Sequence, residues 1–257
     1  NAQQTMRGTG ASPTDILKVV EVNPTDCRFV PLAERCQWSV LDEATVARLM
    51  VGKYKNHTAG VPLLKDALSL HSYELLLHDL RPKTVIDLGT ALGGSSLWFS
   101  RKVPSDASIV TIDIDDFRTP ACREATNVHF AQLDISDATA MQRTLTALPH
   151  PWLVSEDCHV DASVLMAVLD PLMEVGDYVV FEDTHPSNPD RAGMSAESIE
   201  PYSTMSGWAS EKLRSVERAM LARPHYLIDA KIQDFYGYNG CTHINSVFCK
   251  KSEPAVP

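Results

Sequence analysis

Four carboxylates and an imidazole stand close to two strand-like ends in the second half of the chain. Ser155-Glu156-Asp157-Cys158-His159 closes one apolar run, and Glu182-Asp183 closes another, Tyr178-Val179-Val180-Phe181. If the two runs are neighbours in a sheet, Glu156, Asp157, Glu182 and Asp183 meet at one edge with His159 beside them. So many negative groups repel strongly at low dielectric, and a divalent cation would resolve the conflict. Hard oxygen ligands point to Mg²⁺, with Ca²⁺ or Mn²⁺ as alternatives, rather than to zinc. A neutral His159, three residues past Glu156, could then take a proton from a hydroxyl held at the metal. The competing reading makes it a plain hydrogen-bond partner of one acid.

A second constellation lies earlier, in residues 84–100, TVIDLGTALGGSSLWFS. A β-branched apolar run stops at Asp87, turns through Gly89, Gly93 and Gly94, and emerges as a helix, the order in which a loop cradles a nucleotide-like ligand. The glycines do not follow the GxGxxG pattern of dinucleotide sites, since Thr90-Ala91-Leu92 separates them and an acid precedes the first. Asp87 suits a cationic ligand end, and S-adenosylmethionine has one, with no phosphate. Asp87, Gly89, Thr90, Gly93 and Ser95 are therefore candidate cofactor contacts; an ordinary strand-to-helix turn is the alternative. Asp113 ends the next strand-like run, 24 residues beyond Gly89, where a carboxylate would hold ribose hydroxyls. Asp134 either accepts from an adenine amino group or caps the following helix. Glu156 is a candidate for both the cofactor and the metal.

The elements that must position these residues alternate. Strands are expected over residues 84–88, 108–113, 128–133, 152–155 and 177–181, with helices over 137–148 and 161–173, the pattern of parallel strands and right-handed crossovers. Each strand ends next to an acid, and ligands of open α/β sheets gather at such ends. Residues 1–80 read as a helical cap: a loose stretch to about residue 15, short helices at 15–20 and 42–50, and a longer one at 65–80 with Leu68, Leu75, Leu76 and Leu80 toward one side. The core domain then spans 81–257, with a lid-like loop over 184–204, an amphipathic helix over 208–222, and last strands at 226–228 and 246–250.

At 257 residues, 44% hydrophobic and 22% charged, the chain can bury a substantial core and is not disordered. A formal charge of -10 argues against binding nucleic acid through phosphates. The six cysteines show no CxxC pair, and no apolar run is long enough for a membrane span, so a soluble protein of the reducing cytoplasm is expected. The residues before Met6 read as an appended segment and are set aside.

With these residues in view, the chain resembles the cephalosporin hydroxylase and rhamnosyl O-methyltransferase family, whose members are similar to class I S-adenosylmethionine-dependent methyltransferases. The likeness runs from about residue 60 to 250 and is carried by AGVPLLKDALSLHSYELLLHDLRPKTVIDLGTALGGSSLWF, VTIDID, SEDCHVDASVLMAVL and GDYVVFEDTHP. It implies a Rossmann-like α/β fold with a seven-stranded mixed sheet, its last strand antiparallel, helices on both faces, and a homo-oligomer. By the same resemblance Gly89, Asp113 and Asp134 correspond to cofactor positions, Glu182 and Asp183 to paired metal acids, and His159 to a general base. One departure stands out. The family has Asp followed by a small residue where this chain has Glu156 and Asp157, which leaves Glu156, or Asp157 in its place, as the third metal acid. The expected activity is an S-adenosylmethionine- and metal-dependent O-methyl transfer to a sugar hydroxyl, of the rhamnose type, in natural-product biosynthesis. A phenolic or polyketide hydroxyl is the alternative acceptor. A nicotinamide-dependent oxidoreductase is the reading from another class, and the missing GxGxxG counts against it.

Overall fold

The computed structural model describes residues 28–158, 160–186 and 208–254. His159, the helix expected at 15–20 and most of the loop expected at 184–204 lie outside the described residues.

The alternation of short β-branched runs with capped apolar helices produces a layered α/β sheet. In chain order the sheet strands are β1 (Phe29–Val30), β4 (Thr84–Leu88), β5 (Ser108–Asp113), β6 (Val128–Gln132), β7 (Trp152–Glu156), β8 (Tyr178–Phe181), β9 (Tyr226–Asp229) and β10 (Val247–Lys250), while β2 (His57–Thr58) and β3 (Val61–Pro62) form a separate hairpin. The spatial order is β1-β9-β10-β8-β7-β4-β5-β6. Strands β6, β5, β4, β7 and β8 are parallel, and β10 runs antiparallel to both β8 and β9. The expected seven-stranded mixed sheet with a reversed last strand is thus present. It gains an eighth strand, the two-residue β1 paired to β9, which is too short to leave a periodic signal.

The chain leaves β4 toward β5 and β6, then returns to place β7 on the other side of β4. That reversal opens a crevice at the carboxyl ends of β4 and β7, where ligands of such sheets bind.

Helices cover both faces because the strands alternate apolar residues between two clusters. Ile86, Val154 and Phe181 face Leu165 and Met166 of α6 (Ala162–Leu169) and Val216 and Met220 of α7 (Trp208–Leu221). Val85, Leu153 and Val180 face Tyr73, Leu76 and Leu77 of α2 (Ala67–Leu80) and Trp98 and Phe99 of α3 (Gly94–Ser100). After the short α4 (Pro120–Arg123), helix α5 (Ala138–Leu145) adds Met141 and Leu145 to the first cluster. Ahead of these, α1 (Glu43–Lys53) starts where the Asp42 carboxylate accepts the Thr45 N–H at 2.7 Å.

Helix α2 differs from its expected stripe. Its buried residues are Ser69, Ser72, Tyr73, Leu76 and Leu77, while Leu68, Leu75 and Leu80 are only half-buried. Polar anchoring explains the rotation. Asp66 caps the helix through the amides of Leu68 and Ser69, and its other oxygen accepts from the hydroxyls of Ser69 and Thr242.

Candidate active site

The glycine loop joins β4 to α3 at the crevice. Asp87 is fully buried on the face that α3 covers, and its Oδ2 accepts the hydroxyls of Ser95 at 2.9 Å and Ser96 at 2.5 Å. Its Oδ1 has no partner, and burial raises its pKa above the usual carboxylate range. Gly89 adopts φ +99°, and a Cβ there would stand 2.7 Å from the Asp157 carbonyl oxygen, so only glycine lets the loop lie against the end of β7. Gly93 adopts φ +83° and caps α3. Thr90 turns its hydroxyl inward to Thr111 at 2.6 Å, which leaves its backbone, not its side chain, at the crevice. Ser95 likewise serves Asp87 first. A cavity opens here, walled by Gly89, Thr90, Ala91, Leu92, Lys65 and Asp157 among others.

Asp113 ends β5 beside this cavity. Its Oδ2 accepts the Ala91 N–H at 2.9 Å and its Oδ1 the Ile114 N–H at 2.8 Å. Each oxygen keeps acceptor capacity for a diol. Asp134 instead closes its own turn, accepting from the Ser136 amide and hydroxyl, and the cap of α5 is Asp137.

The acids at the ends of β7 and β8 are neighbours as expected, with the Glu182 N–H donating to the Glu156 carbonyl at 2.9 Å. They are not uncompensated, and here the expectation is corrected: lysines from three separate segments face them. Lys212 of α7 lies 2.8 Å from Glu156 Oε2. Lys65, in the segment before α2, donates to Glu182 and lies 3.8 Å from Asp157. Lys53, the last residue of α1, stands 3.4 Å from Asp183. Burial is the largest influence on all three ammonium groups and opposes their charge, but the carboxylates around each, led by Glu156, Glu182 and Asp183 respectively, together outweigh it and raise the lysine pKa values.

Glu182 also accepts from Tyr73 at 2.7 Å and Ser155 at 2.9 Å. Burial pushes its pKa up, yet Lys65 foremost, with the Tyr73 hydroxyl, holds it at about 2. Asp157 goes the other way: burial, with the Glu182 charge beside it, raises its carboxyl well above the usual range. Asp183 sits at φ +57° with its amide turned to His243 Nδ1 at 3.1 Å.

Sequence reasoning missed His243, which belongs to no ligand-like spacing. It is buried, its Nδ1 accepts from Asp183, and its Nε2 has no partner, so the neutral ring carries its proton on Nε2. His185 is buried as well, and burial with the nearby His243 lowers its pKa to about 4. The three lysines were missed for the same reason: nothing local marks them as partners of acids far along the chain.

The residues fit S-adenosylmethionine. A buried carboxylate with one unpartnered oxygen bonds Ser95, and a second carboxylate with acceptor capacity to spare bonds Ala91, both residues of the cavity wall. At the acid edge a divalent cation would share its ligands with lysines. Glu156 and Glu182 each have one oxygen against an ammonium group and Asp183 has Lys53 at 3.4 Å, and among the described residues no group of three or more His, Cys, Asp or Glu is arranged to hold a metal.

Comparison with known proteins agrees with this fold. The model of a family described as rhamnosyl O-methyltransferase/CmcI matches residues 52–234. A rhamnosyl O-methyltransferase of Mycobacterium tuberculosis (strain ATCC 25618 / H37Rv) is 29% identical over 157 residues, covering 56% of this chain and 64% of that protein. The one from Mycobacterium leprae (strain TN) is 28% identical, covering 56% of this chain and 68% of its own. The chain thus spans just under two thirds of the length of the tuberculosis relative. Among solved structures, CmcI with Mg and SAM superposes with a TM-score of 0.56 at 22% identity, covering 90% of this chain and 88% of that one, a likeness of fold. With the glycine loop, strand order and sheet-edge acids in place, and the family match spanning most of the sheet, the chain belongs to the rhamnosyl O-methyltransferase/CmcI family.

Proposed function

We propose that this protein is an S-adenosylmethionine-dependent O-methyltransferase that acts on a hydroxyl of a rhamnose-type sugar. The observation that carries the reading is that Asp87, with its unpartnered buried oxygen, and Asp113, at the adjacent strand end, each bond a residue that walls one glycine-containing cavity, Ser95 and Ala91 respectively. Membership of the family and the mycobacterial rhamnosyl O-methyltransferases support the acceptor class. Asp87 would face the cationic methionine end, Asp113 the ribose, and the backbone of residues 89–93 the rest.

When bound, S-adenosylmethionine supplies a methyl carbon already activated by its sulfonium, so the protein's task is alignment and removal of one proton. The acceptor hydroxyl loses its proton as its oxygen takes the methyl group, leaving a methyl ether and S-adenosylhomocysteine. His159, next in sequence to Cys158 whose amide donates to Glu156, is proposed as the base on its sequence position. Ser95 and Ser96 hold Asp87 in one orientation, and Asp113 ties down Ala91, so the loop is set before ligand arrives. Glu182 and Asp183, with Glu156 or Asp157 as the third acid, are the residues that would hold the divalent cation implied by the resemblance, and such an ion would supply positive charge to the acceptor hydroxyl.

The test is transfer of labelled methyl from S-adenosylmethionine to a rhamnosylated acceptor, with mass analysis of the released sugar. Label on a sugar oxygen supports the proposal. Its absence, together with transfer to a phenolic acceptor, moves the substrate class.

A further inference from the structure

Gly52 stands in the last turn of α1, where its own surroundings do not call for a glycine. Its backbone is helical, and a Cβ added there would meet nothing within 4 Å, so neither a left-handed φ nor a close neighbour excludes a side chain. Glycine also weakens a helix relative to alanine. What the missing side chain leaves is room. Gly52 walls a cavity of about 330 Å³ together with Arg48, Leu49, Lys55, Asn56 and Asp66 among others. Arg48 lies one turn before Gly52 on the same face of α1, and Lys55 follows in the turn beyond the helix.

The charge on this wall is unmatched. Neither the Arg48 nor the Lys55 side chain forms a hydrogen bond or an ion pair among the described residues; Asp42 feels Arg48 only as a weak field, and its carboxylate is taken by Thr45. Asp66, the acid of the wall, is buried, with one oxygen on the Leu68 and Ser69 amides and the other on the Ser69 and Thr242 hydroxyls. Two cations thus border one cavity without a counter-charge, in a chain whose formal charge is -10. The cavity also adjoins the cofactor side. Pro62, Leu64 and Lys65 wall the cofactor-side cavity, and Lys65, Asp66 and Ala67 wall this one. Leu64 and Ala67 are three residues apart, a span of no more than about 11 Å along the chain.

We propose that this cavity is a subsite for an anionic group, a phosphate or a carboxylate, which the acceptor carries away from its reacting hydroxyl. This rests on the methyltransferase reading above. The Arg48 guanidinium would meet such oxygens as a two-pronged donor and Lys55 as a point charge, while Gly52 keeps the space open. The subsite then selects a charged glycoside over a neutral one of the same sugar.

The test is calorimetry on the whole chain. Inorganic pyrophosphate is titrated first, because its uptake needs neither cofactor nor sugar: uptake that the Arg48→Gln, Lys55→Gln double variant loses supports the subsite, and no uptake, or uptake that the variant keeps, overturns it. With S-adenosylhomocysteine bound, methyl rhamnoside, rhamnose 1-phosphate and carboxymethyl rhamnoside are then compared. At least one of the two anionic sugars is expected to bind about 10- to 100-fold more tightly than the neutral one, and which of them does so identifies the anion as phosphate or carboxylate. The double variant should lose that preference. Gly52→Leu, which fills the cavity from a helical backbone, should weaken the anionic sugar about 10-fold while S-adenosylhomocysteine affinity stays in place. Equal affinity for all three sugars in wild type, or a preference that survives in the double variant, overturns the proposal. If none of the three binds although pyrophosphate does, the rhamnose reading falls and the anion subsite stands.

Discussion

Lys212 Nζ stands 2.8 Å from Glu156 Oε2, with the two side chains only 5% and 1% exposed. One partner comes from the helix that packs on the sheet and the other from the end of a central strand, so this ion pair ties α7 to the crevice. Breaking it by Lys212→Met leaves a buried carboxylate without its cation and is expected to cost about 3–5 kcal/mol in urea unfolding. The Glu156→Gln, Lys212→Met pair should recover most of that loss. A double variant no more stable than Lys212→Met alone would show that the lysine acts elsewhere.

Asp113 accepts two backbone amides and, in the proposed function, a ribose diol. Asp113→Ala should weaken S-adenosylhomocysteine binding about 10- to 100-fold by calorimetry, the loss of hydrogen bonds to a charged acceptor. Unchanged affinity would remove Asp113 from the cofactor site.

Gly89 is constrained from two sides, by φ +99° and by the Asp157 carbonyl that a Cβ would meet at 2.7 Å. Gly89→Ala is expected to lower stability by about 1–3 kcal/mol and to reduce cofactor affinity, since relief requires the loop to move off β7. A variant as stable and as tight-binding as wild type would contradict the packing.

His185 gives a pH dependence with a definite sign. Burial, with His243 beside it, lowers its folded pKa to about 4 from the usual 6.5, so between those values the unfolded chain binds the extra proton. Its neutral form is therefore fully tolerated above pH 6.5, and stability falls as pH drops from there toward 4, by about 2–3 kcal/mol for a shift of this size. Unfolding in urea at several pH values should show that slope in wild type and a flatter one in His185→Gln. Equal slopes would assign it to other groups, His243 first among them, because burial lowers its pKa too.

The strands and the crevice could be read from the chain because their signals are local. Short apolar runs rich in β-branched residues mark β4, β5, β7 and β8, and the carboxylates of Asp42, Asp66, Asp137 and Asp161 cap the helices that follow them. The acid edge was legible for its carboxylates and not for its charge balance. Lys53, Lys65 and Lys212 come from three segments widely separated in sequence, and no spacing rule links them to Glu182 or Asp183. Helix α2 misled for a related reason: its inward face is set by Tyr73 reaching Glu182 and by Ser69 reaching Asp66, polar contacts that a leucine count does not register.

The central claim is that the glycine loop between β4 and α3 binds S-adenosylmethionine. Calorimetric titration of the intact chain with S-adenosylhomocysteine and, separately, with NADH tests it most directly. The expected result is saturable binding of S-adenosylhomocysteine that Asp113→Ala weakens, with no heat from NADH. Binding of NADH alone, or of neither, would contradict it.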